Sequence, residues 1–257
     1  MKNIYFLCSL PRAGNTLLGS IVNSNKNIKL TPNSLSPDIL YQLQKLKNSD
    51  LFKNFPNHKS LDNLISSALY EYYKDWDVDN IIDRSTWGTP GNLETIQNIF
   101  EKPKFIILLR PVVECIASLC KIEFENGNRS MRNIQTYIDT FMNFEKGILG
   151  KSIWSIHNII KTNQDYKIFY FKDLVNDTDK FLDDLSNFIG VKIKKPKLLN
   201  QFNINGVYYQ DEVHTKNLHK IRTDCIKLDS YDLTKYVPLT TINQFKNFEK
   251  VNEHFNS

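Results

Sequence analysis

The chain has 257 residues, of which 41% are hydrophobic, 12% aromatic and 24% charged, with a formal net charge of +5. That is enough apolar material for one large α/β domain with a substantial core, and it excludes a largely disordered chain. The mild positive charge forms no basic stripe, its densest cluster being the Pro-broken Lys-Ile-Lys-Lys-Pro-Lys at 192–197, which speaks against a nucleic-acid binder, and no apolar run approaches the roughly 18 residues of a membrane span.

The four cysteines, Cys8, Cys115, Cys120 and Cys225, contain no C-x-x-C pair, so neither a zinc site nor a redox motif is expected. Free thiols fit a reducing compartment. No signal-peptide pattern precedes the short apolar run at 4–8, and a cytoplasmic protein is expected.

In chain order, residues 4–10 form a short continuous apolar run ending at Pro11, as a buried parallel strand does. The turn Pro11-Arg12-Ala13-Gly14-Asn15 leads into a helix over 16–22 with Leu17, Leu18, Ile21 and Val22 on one face. Helical stretches near 39–47 and 61–74, separated by a polar loop at 48–59, read as an insertion at about 32–79 between the first and second strands. The second strand, Asn80-Ile81-Ile82-Asp83, ends in Arg84-Ser85-Thr86; a helix at about 93–100 precedes the strongest strand, 105–109, which stops at Arg110-Pro111. Helix follows through Ile116 and Leu119, then a long helical region over 134–160 with a break near Gly147 and Gly150. A strand at 166–171, a helix at 179–188 closed by Gly190 and a last helix from about 241 to 254 complete the chain. Strands alternate with helices, and Asn126-Gly127 lies between helical stretches rather than apolar runs, so no hairpin is expected. The pattern predicts a single α/β domain over 1–257 with a central parallel sheet and helices on both faces.

Ligands of open parallel sheets sit beyond the carboxyl ends of the strands. Three such ends carry arginine here, Arg12, Arg84 and Arg110, and three converging guanidiniums call for an anion. After the first strand, Leu10-Pro11-Arg12-Ala13-Gly14-Asn15-Thr16-Leu17 supplies a glycine turn, a helix N-terminus and a hydroxyl, the ingredients of a phosphate loop. It lacks the first glycine and the lysine of the G-x-x-x-x-G-K-[ST] loop, which argues against magnesium-nucleotide chemistry. After the third strand, Arg110 is followed two helical turns on by Ser118, a pair able to hold a second phosphate.

At these residues the chain resembles the sulfotransferases that use 3′-phosphoadenosine 5′-phosphosulfate (PAPS). Their P-[RK]-S-G-T-[TS]-[LW] loop stands here as Pro11-Arg12-Ala13-Gly14-Asn15-Thr16-Leu17, closer to the tyrosylprotein and heparan-type branch than to the cytosolic phenol type. Their R-D-P-x-x-x-x-x-S pattern is matched by Arg110 and Ser118 at the same eight-residue spacing, without the Asp. Asp83-Arg84-Ser85-Thr86 is similar to their D-K-[ST]-P, and Phe169-Tyr170-Phe171-Lys172-Asp173-Leu174-Val175 with Phe188-Ile189-Gly190-Val191 to their Y-E-D-L … F-L-G-[VIL] block, Phe171 standing for the tyrosine. Leu218-His219-Lys220-Ile221-Arg222 is similar to a C-terminal segment that closes over the nucleotide.

The resemblance implies a P-loop nucleotide-hydrolase-like sulfotransferase architecture and transfer of a sulfuryl group from PAPS to a hydroxyl or amine, leaving adenosine 3′,5′-bisphosphate (PAP), with no metal required. It places Arg12, Ala13, Gly14, Asn15, Thr16 and Leu17 at the 5′-phosphosulfate, Arg110 and Ser118 at the 3′-phosphate, and Lys220 and Arg222 over the nucleotide. Arg12, Arg84 and Thr16 would stabilise the transition state. The family's Glu after the first helix and His after the second-strand basic residue are both missing; Asp38 is the nearest acid and the first candidate base, His219 the second. Asp38 is equally explained as an early-helix acid after Pro37. The acceptor, whether carbohydrate, peptide or small alcohol, and the oligomeric state are not readable. A non-catalytic nucleotide- or partner-binding protein derived from a sulfotransferase, and a P-loop small-molecule kinase, are the competing readings.

Overall fold

The computed structural model describes residues 2–125, 127, 133–201, 203–209, 219, 221, 226 and 232–245. Strand β1 (Asn3–Ser9) opens the chain and is followed by α1 (Asn15–Asn23) and β2 (Ile28–Leu30). Helices α2 (Ser36–Lys45), α3 (Asp50–Asn54) and α4 (His58–Tyr72) lead to β3 (Asn80–Arg84), then α5 (Pro90–Ile99) and β4 (Lys104–Leu109). Helices α6 (Val112–Glu125), α7 (Ile134–Met142) and α8 (Ile148–Lys161) precede β5 (Asp165–Tyr170), which passes into α9 (Phe171–Asn176) and α10 (Thr178–Ile189). A two-stranded hairpin, β6 (Asn203–Ile204) and β7 (Val207–Tyr208), comes last among the strands of the described residues. Residues 239–245 are helical, and the remainder of the expected C-terminal helix lies outside the described residues.

The sheet is five-stranded in the order β2-β3-β1-β4-β5, and every pairing in it is parallel. Successive residues of β1 point to opposite faces, and each face meets helices. Tyr5 donates its hydroxyl to the Ile189 carbonyl of α10 (2.8 Å). On the other face Phe6 packs edge-on against Trp87 and Phe100, and Cys8 receives the Ser155 hydroxyl of α8. The α/β class, the parallel sheet and the helices on both faces are therefore as the sequence predicts.

Two local expectations are corrected. The second strand in the chain is Ile28–Leu30, which pairs with β3 at the sheet edge; three residues with a central lysine give too short a signal to separate from a loop. The hairpin β6–β7 turns on Asn205-Gly206, both with positive φ (52° and 82°), the geometry of a type I′ turn. The Asn-Gly signal is in the chain, but two-residue strands offer no alternation to frame it.

The apolar core follows the central strands: Phe6, Leu7, Phe105, Ile107 and Leu108 are fully buried. Cys8, Cys115 and Cys120 are free and buried, and burial pushes each thiol up to about 12. Cys225 lies outside the described residues. No helix of the described residues is long and apolar enough to cross a membrane.

The segment after β3 is pressed onto α8, with Gly88 N–H donating to the Ser155 hydroxyl (2.8 Å). A Cβ on Gly88 would lie 1.9 Å from the Ser155 carbonyl oxygen, which is backbone and cannot turn away. Gly88→Ala is therefore expected to cost about 1–3 kcal/mol or more of stability in chemical denaturation; an unchanged midpoint would show that α8 moves freely relative to β3.

Candidate active site

Chain direction brings the site together. From β1 the chain crosses leftward to β2, and from β4 rightward to β5, so the carboxyl ends of the neighbouring strands β1 and β4 flank a topological switch point. The Leu10 N–H donates to the Leu108 carbonyl (3.2 Å), holding the loop after β1 against β4. Arg12 sits at φ 65°, a left-handed conformation that costs a non-glycine residue energy and marks a constrained turn. Gly14, at φ 85°, occupies the N-cap of α1, and a Cβ there would lie 2.4 Å from the Phe171 ring. The loop is thus clamped between β4 and the first residue of α9. It leads into a helix with no acidic residue in its first turn, whose leading N–H groups have no intrahelical partner.

The side chains of this loop are tied to the loop after β4. Arg12 Nε donates to the Ser118 hydroxyl (3.0 Å), and Arg110 Nη1 donates to the Arg12 carbonyl (2.9 Å). Arg110 also pairs with Glu114 in the first turn of α6 (2.8 Å) and lies over the Phe171 ring, 4.9 Å from its centroid. Ser118, expected beside Arg110, is buried and bonded to Arg12. Arg12, Arg110 and Ser118 form one connected cluster across the switch point.

Arg84 leaves the end of β3 into the same region. Its guanidinium is held by neutral oxygens: the Pro32 carbonyl, Asn33 Oδ1 (3.0 Å) and the Ser9 hydroxyl (3.3 Å). Burial lowers its pKa to about 10, so it is still charged at neutral pH. The preceding residue organises this holder. Asp83 is fully buried and accepts hydrogen bonds from Ser34 (3.1 Å), Ser36 (2.5 Å), Tyr73 (2.6 Å) and Trp87 (3.2 Å). Its donors come from the turn after β2, the end of α4 and the loop after β3, so one carboxylate gathers the segments that carry Pro32 and Asn33 around Arg84.

Asn15, Thr16, Pro32, Arg84, Tyr209 and His219 line a cleft at this edge. Asn15 Nδ2 donates to the Leu10 carbonyl (2.8 Å), while its Oδ1 is buried with no hydrogen-bond partner. Ala13 is buried in the turn and Leu17 half-buried in α1. Asp38 is exposed in the first turn of α2 and is not part of the cleft lining. Lys220 and Arg222 lie outside the described residues. The sequence places Phe171 only as a substitute for a tyrosine, and gives no sign of its contacts with Arg110 and Gly14, of Asn33 and Tyr209, or of the donors to the buried Asp83. A lone Asn or Tyr carries no pattern, and only contacts across the sheet edge show what these residues hold.

The fold and site define an open parallel α/β protein with Arg12 and Arg110 joined at the switch point of the sheet and Arg84 at the end of the adjacent strand β3. A family model described as "Sulfotransferase family" matches residues 5–195, and the chain belongs to that family. Its fold is similar to that of the sulfotransferase domain from the Synechococcus PCC 7002 olefin synthase, with 18% identity over 97% of this chain and 96% of that one (TM-score 0.51). It is also similar to mouse sulfotransferase SULT7A1 complexed with PAP, at 13% identity over 96% of this chain and 81% of that one (TM-score 0.55). The chain matches no curated protein.

Asp83 provides a pH test of how the site is built. Burial raises its pKa above the ordinary carboxylate value, against the opposing pull of its four donors. A folded-state pKa above the unfolded one makes its contribution to stability largest in acid, and that contribution is lost as pH rises through the folded value. Asp83→Asn is neutral throughout and lacks this slope. The stability difference between wild type and Asp83→Asn, from denaturant titrations between pH 4 and pH 7, is expected to be widest at the acid end. A difference that widens toward neutral pH would show that the donors outweigh burial.

Proposed function

We propose that the protein is a PAPS-dependent sulfotransferase acting on a hydroxyl or amine acceptor, with Arg12, Arg84 and Arg110 providing the positive charge for the donor. The observation that carries this reading is the linkage of Arg12, Arg110 and Ser118 across the switch point, with Arg84 held by neutral oxygens at the same edge. The residues fit an anionic nucleotide. A constrained Arg12 backbone, a Gly14 cap closed by Phe171 and a helix start free of acids make a cradle for negative oxygens.

In this assignment the N–H groups of 14–17 and the side chains of Arg12 and Thr16 hold the 5′-phosphosulfate, and Arg110 with Ser118 takes the 3′-phosphate. Asn15 anchors the turn through its amide on the Leu10 carbonyl. PAPS supplies an activated sulfuryl group whose departure leaves negative charge on a phosphate oxygen. What the chain does is place fixed donors where that charge grows, so no reorganisation is needed when it appears. Arg84 is suited to this because Pro32 and Asn33 hold its guanidinium in place before any ligand arrives. The Phe171 ring and the Glu114 carboxylate do the same for Arg110.

Two substitutions separate binding from turnover. Arg110→Ala is expected to weaken PAP binding by about 1.5–3 kcal/mol while leaving adenosine 5′-phosphate, which lacks the 3′-phosphate, nearly unaffected. Calorimetry with both ligands also controls for any slackening of the Arg12 loop, which would lower both; equal losses would remove Arg110 from the 3′-phosphate. Arg84→Ala is expected to slow sulfuryl release from PAPS by about 100-fold or more with a much smaller change in PAP affinity. A variant that binds weakly but turns over normally once saturated would make Arg84 a ground-state binder.

A further inference from the structure

The helical insertion before β3 carries a tip whose apolar side chains point into solvent. Leu51 and Phe55 are 84% and 75% exposed, more than any other large hydrophobic among the described residues. They lie one turn apart on α3, where the Phe55 N–H donates to the Leu51 carbonyl (3.1 Å), so both share one side of it. Leu46, in the turn before α3, is exposed as well. Every residue from 53 to 60 is exposed, so this segment stands out from the body of the molecule as a ridge, not a groove. Leaving two neighbouring large apolar side chains in water costs free energy, and such a patch marks a surface that meets something.

The surroundings of this ridge are basic. Residues 45–60 hold Lys45, Lys47, Lys53 and Lys59 against a single acid, Asp50, and Lys45, Lys53 and Lys59 are exposed. Asp50 lies 3.5 Å from Lys53, and Asp62 of α4 pairs with Lys47 (2.8 Å). Those two acids offset two of the charges, and Lys45 and Lys59 keep the ridge positive at both ends. The pair of Lys47 with Asp62 also ties the turn before α3 to α4. Phe52 turns back, half-buried, and meets the His58 ring edge-on at 4.9 Å. The tip is thus braced from within and presents Leu51 and Phe55 between lysines.

We propose that this ridge docks on an anionic lipid bilayer, with Leu51 and Phe55 entering the headgroup region and the lysines meeting lipid phosphates. The inference stands apart from the sulfotransferase reading above. Apolar side chains flanked by lysines hold a protein to such a surface by two additive forces, burial of the apolar groups and attraction to the anionic headgroups. A second copy of the chain fits less well. A two-fold contact would set lysines against lysines, and a stable interface needs roughly 800 Å² from each partner, far more than two side chains supply. A groove on another protein grips a helix through anchors spread over two or more turns, and α3 has five residues. A bilayer requires neither a matched pocket nor a long helix.

The test is co-sedimentation of the full-length protein with vesicles of phosphatidylcholine alone, or of phosphatidylcholine mixed with phosphatidylglycerol. Wild type is expected to bind the anionic vesicles, to ignore the neutral ones and to be released by salt. The double variant Leu51→Ser/Phe55→Ser, changed only at exposed positions, is expected to keep the wild-type denaturation midpoint and to bind about tenfold or more weakly. Lys53→Gln/Lys59→Gln should weaken binding as well. Lys194→Gln/Lys195→Gln, which removes the same charge from another exposed segment, should not. The proposal is overturned if wild type stays in solution with both vesicles or binds both equally. It is also overturned if the serine variant binds as wild type does, or if the two lysine pairs weaken binding alike. Light scattering across a concentration series covers the remaining occupant: a dimer that Leu51→Ser/Phe55→Ser breaks would make the ridge a contact between copies and overturn the lipid assignment.

Discussion

Like charges brought together at one edge of the sheet are the constraint around which the site is built. Arg12, Arg84 and Arg110 each follow a different strand, and parallel pairing of β3, β1 and β4 forces those strand ends to lie side by side. Guanidiniums in partly buried positions repel one another and lose hydration, so each must be held. Arg110 is held by Glu114, by the Arg12 carbonyl and by the face of Phe171. Arg84 is held by neutral oxygens alone among its hydrogen-bond partners described above, which keeps its full positive charge available to a ligand. Such an arrangement makes sense when an anion enters the switch point.

The holders are themselves held. Asp83 is a buried carboxyl group, which is costly without compensation, and its four donors offset part of that cost while fixing the turn after β2. Phe171 has a similar double role, closing the space beside Gly14 and lying over Arg110. Neither residue faces the cleft, yet both decide where cleft residues stand. Precision in the site is therefore set by groups one layer behind it, as preorganised electrostatics requires.

Much of this was legible in the sequence because it depends on local chemistry. Short apolar runs ending in arginine announced the strand ends, and the Pro-Arg-x-Gly turn announced the loop. The break between α7 and α8 and the Gly190 cap at φ 75° were written in single glycines. What was not legible depends on contacts between distant residues. The bond of Ser118 to Arg12 spans 106 positions and the bond of Asn33 to Tyr209 spans 176, and no spacing rule reports on either. The edge strand Ile28–Leu30 escaped because its pairing with β3, rather than any run of apolar residues, makes it a strand.

On the reading proposed above, a glycine turn and the arginines at the ends of β3, β1 and β4 form a site for a 3′,5′-phosphorylated adenosine. Calorimetric titration of the full-length protein with PAP in the absence of magnesium, with ATP and magnesium as the control, tests it most directly. Such a site binds PAP saturably and leaves ATP unbound. Folded protein that fails to bind PAP, or that prefers ATP with magnesium, would contradict it.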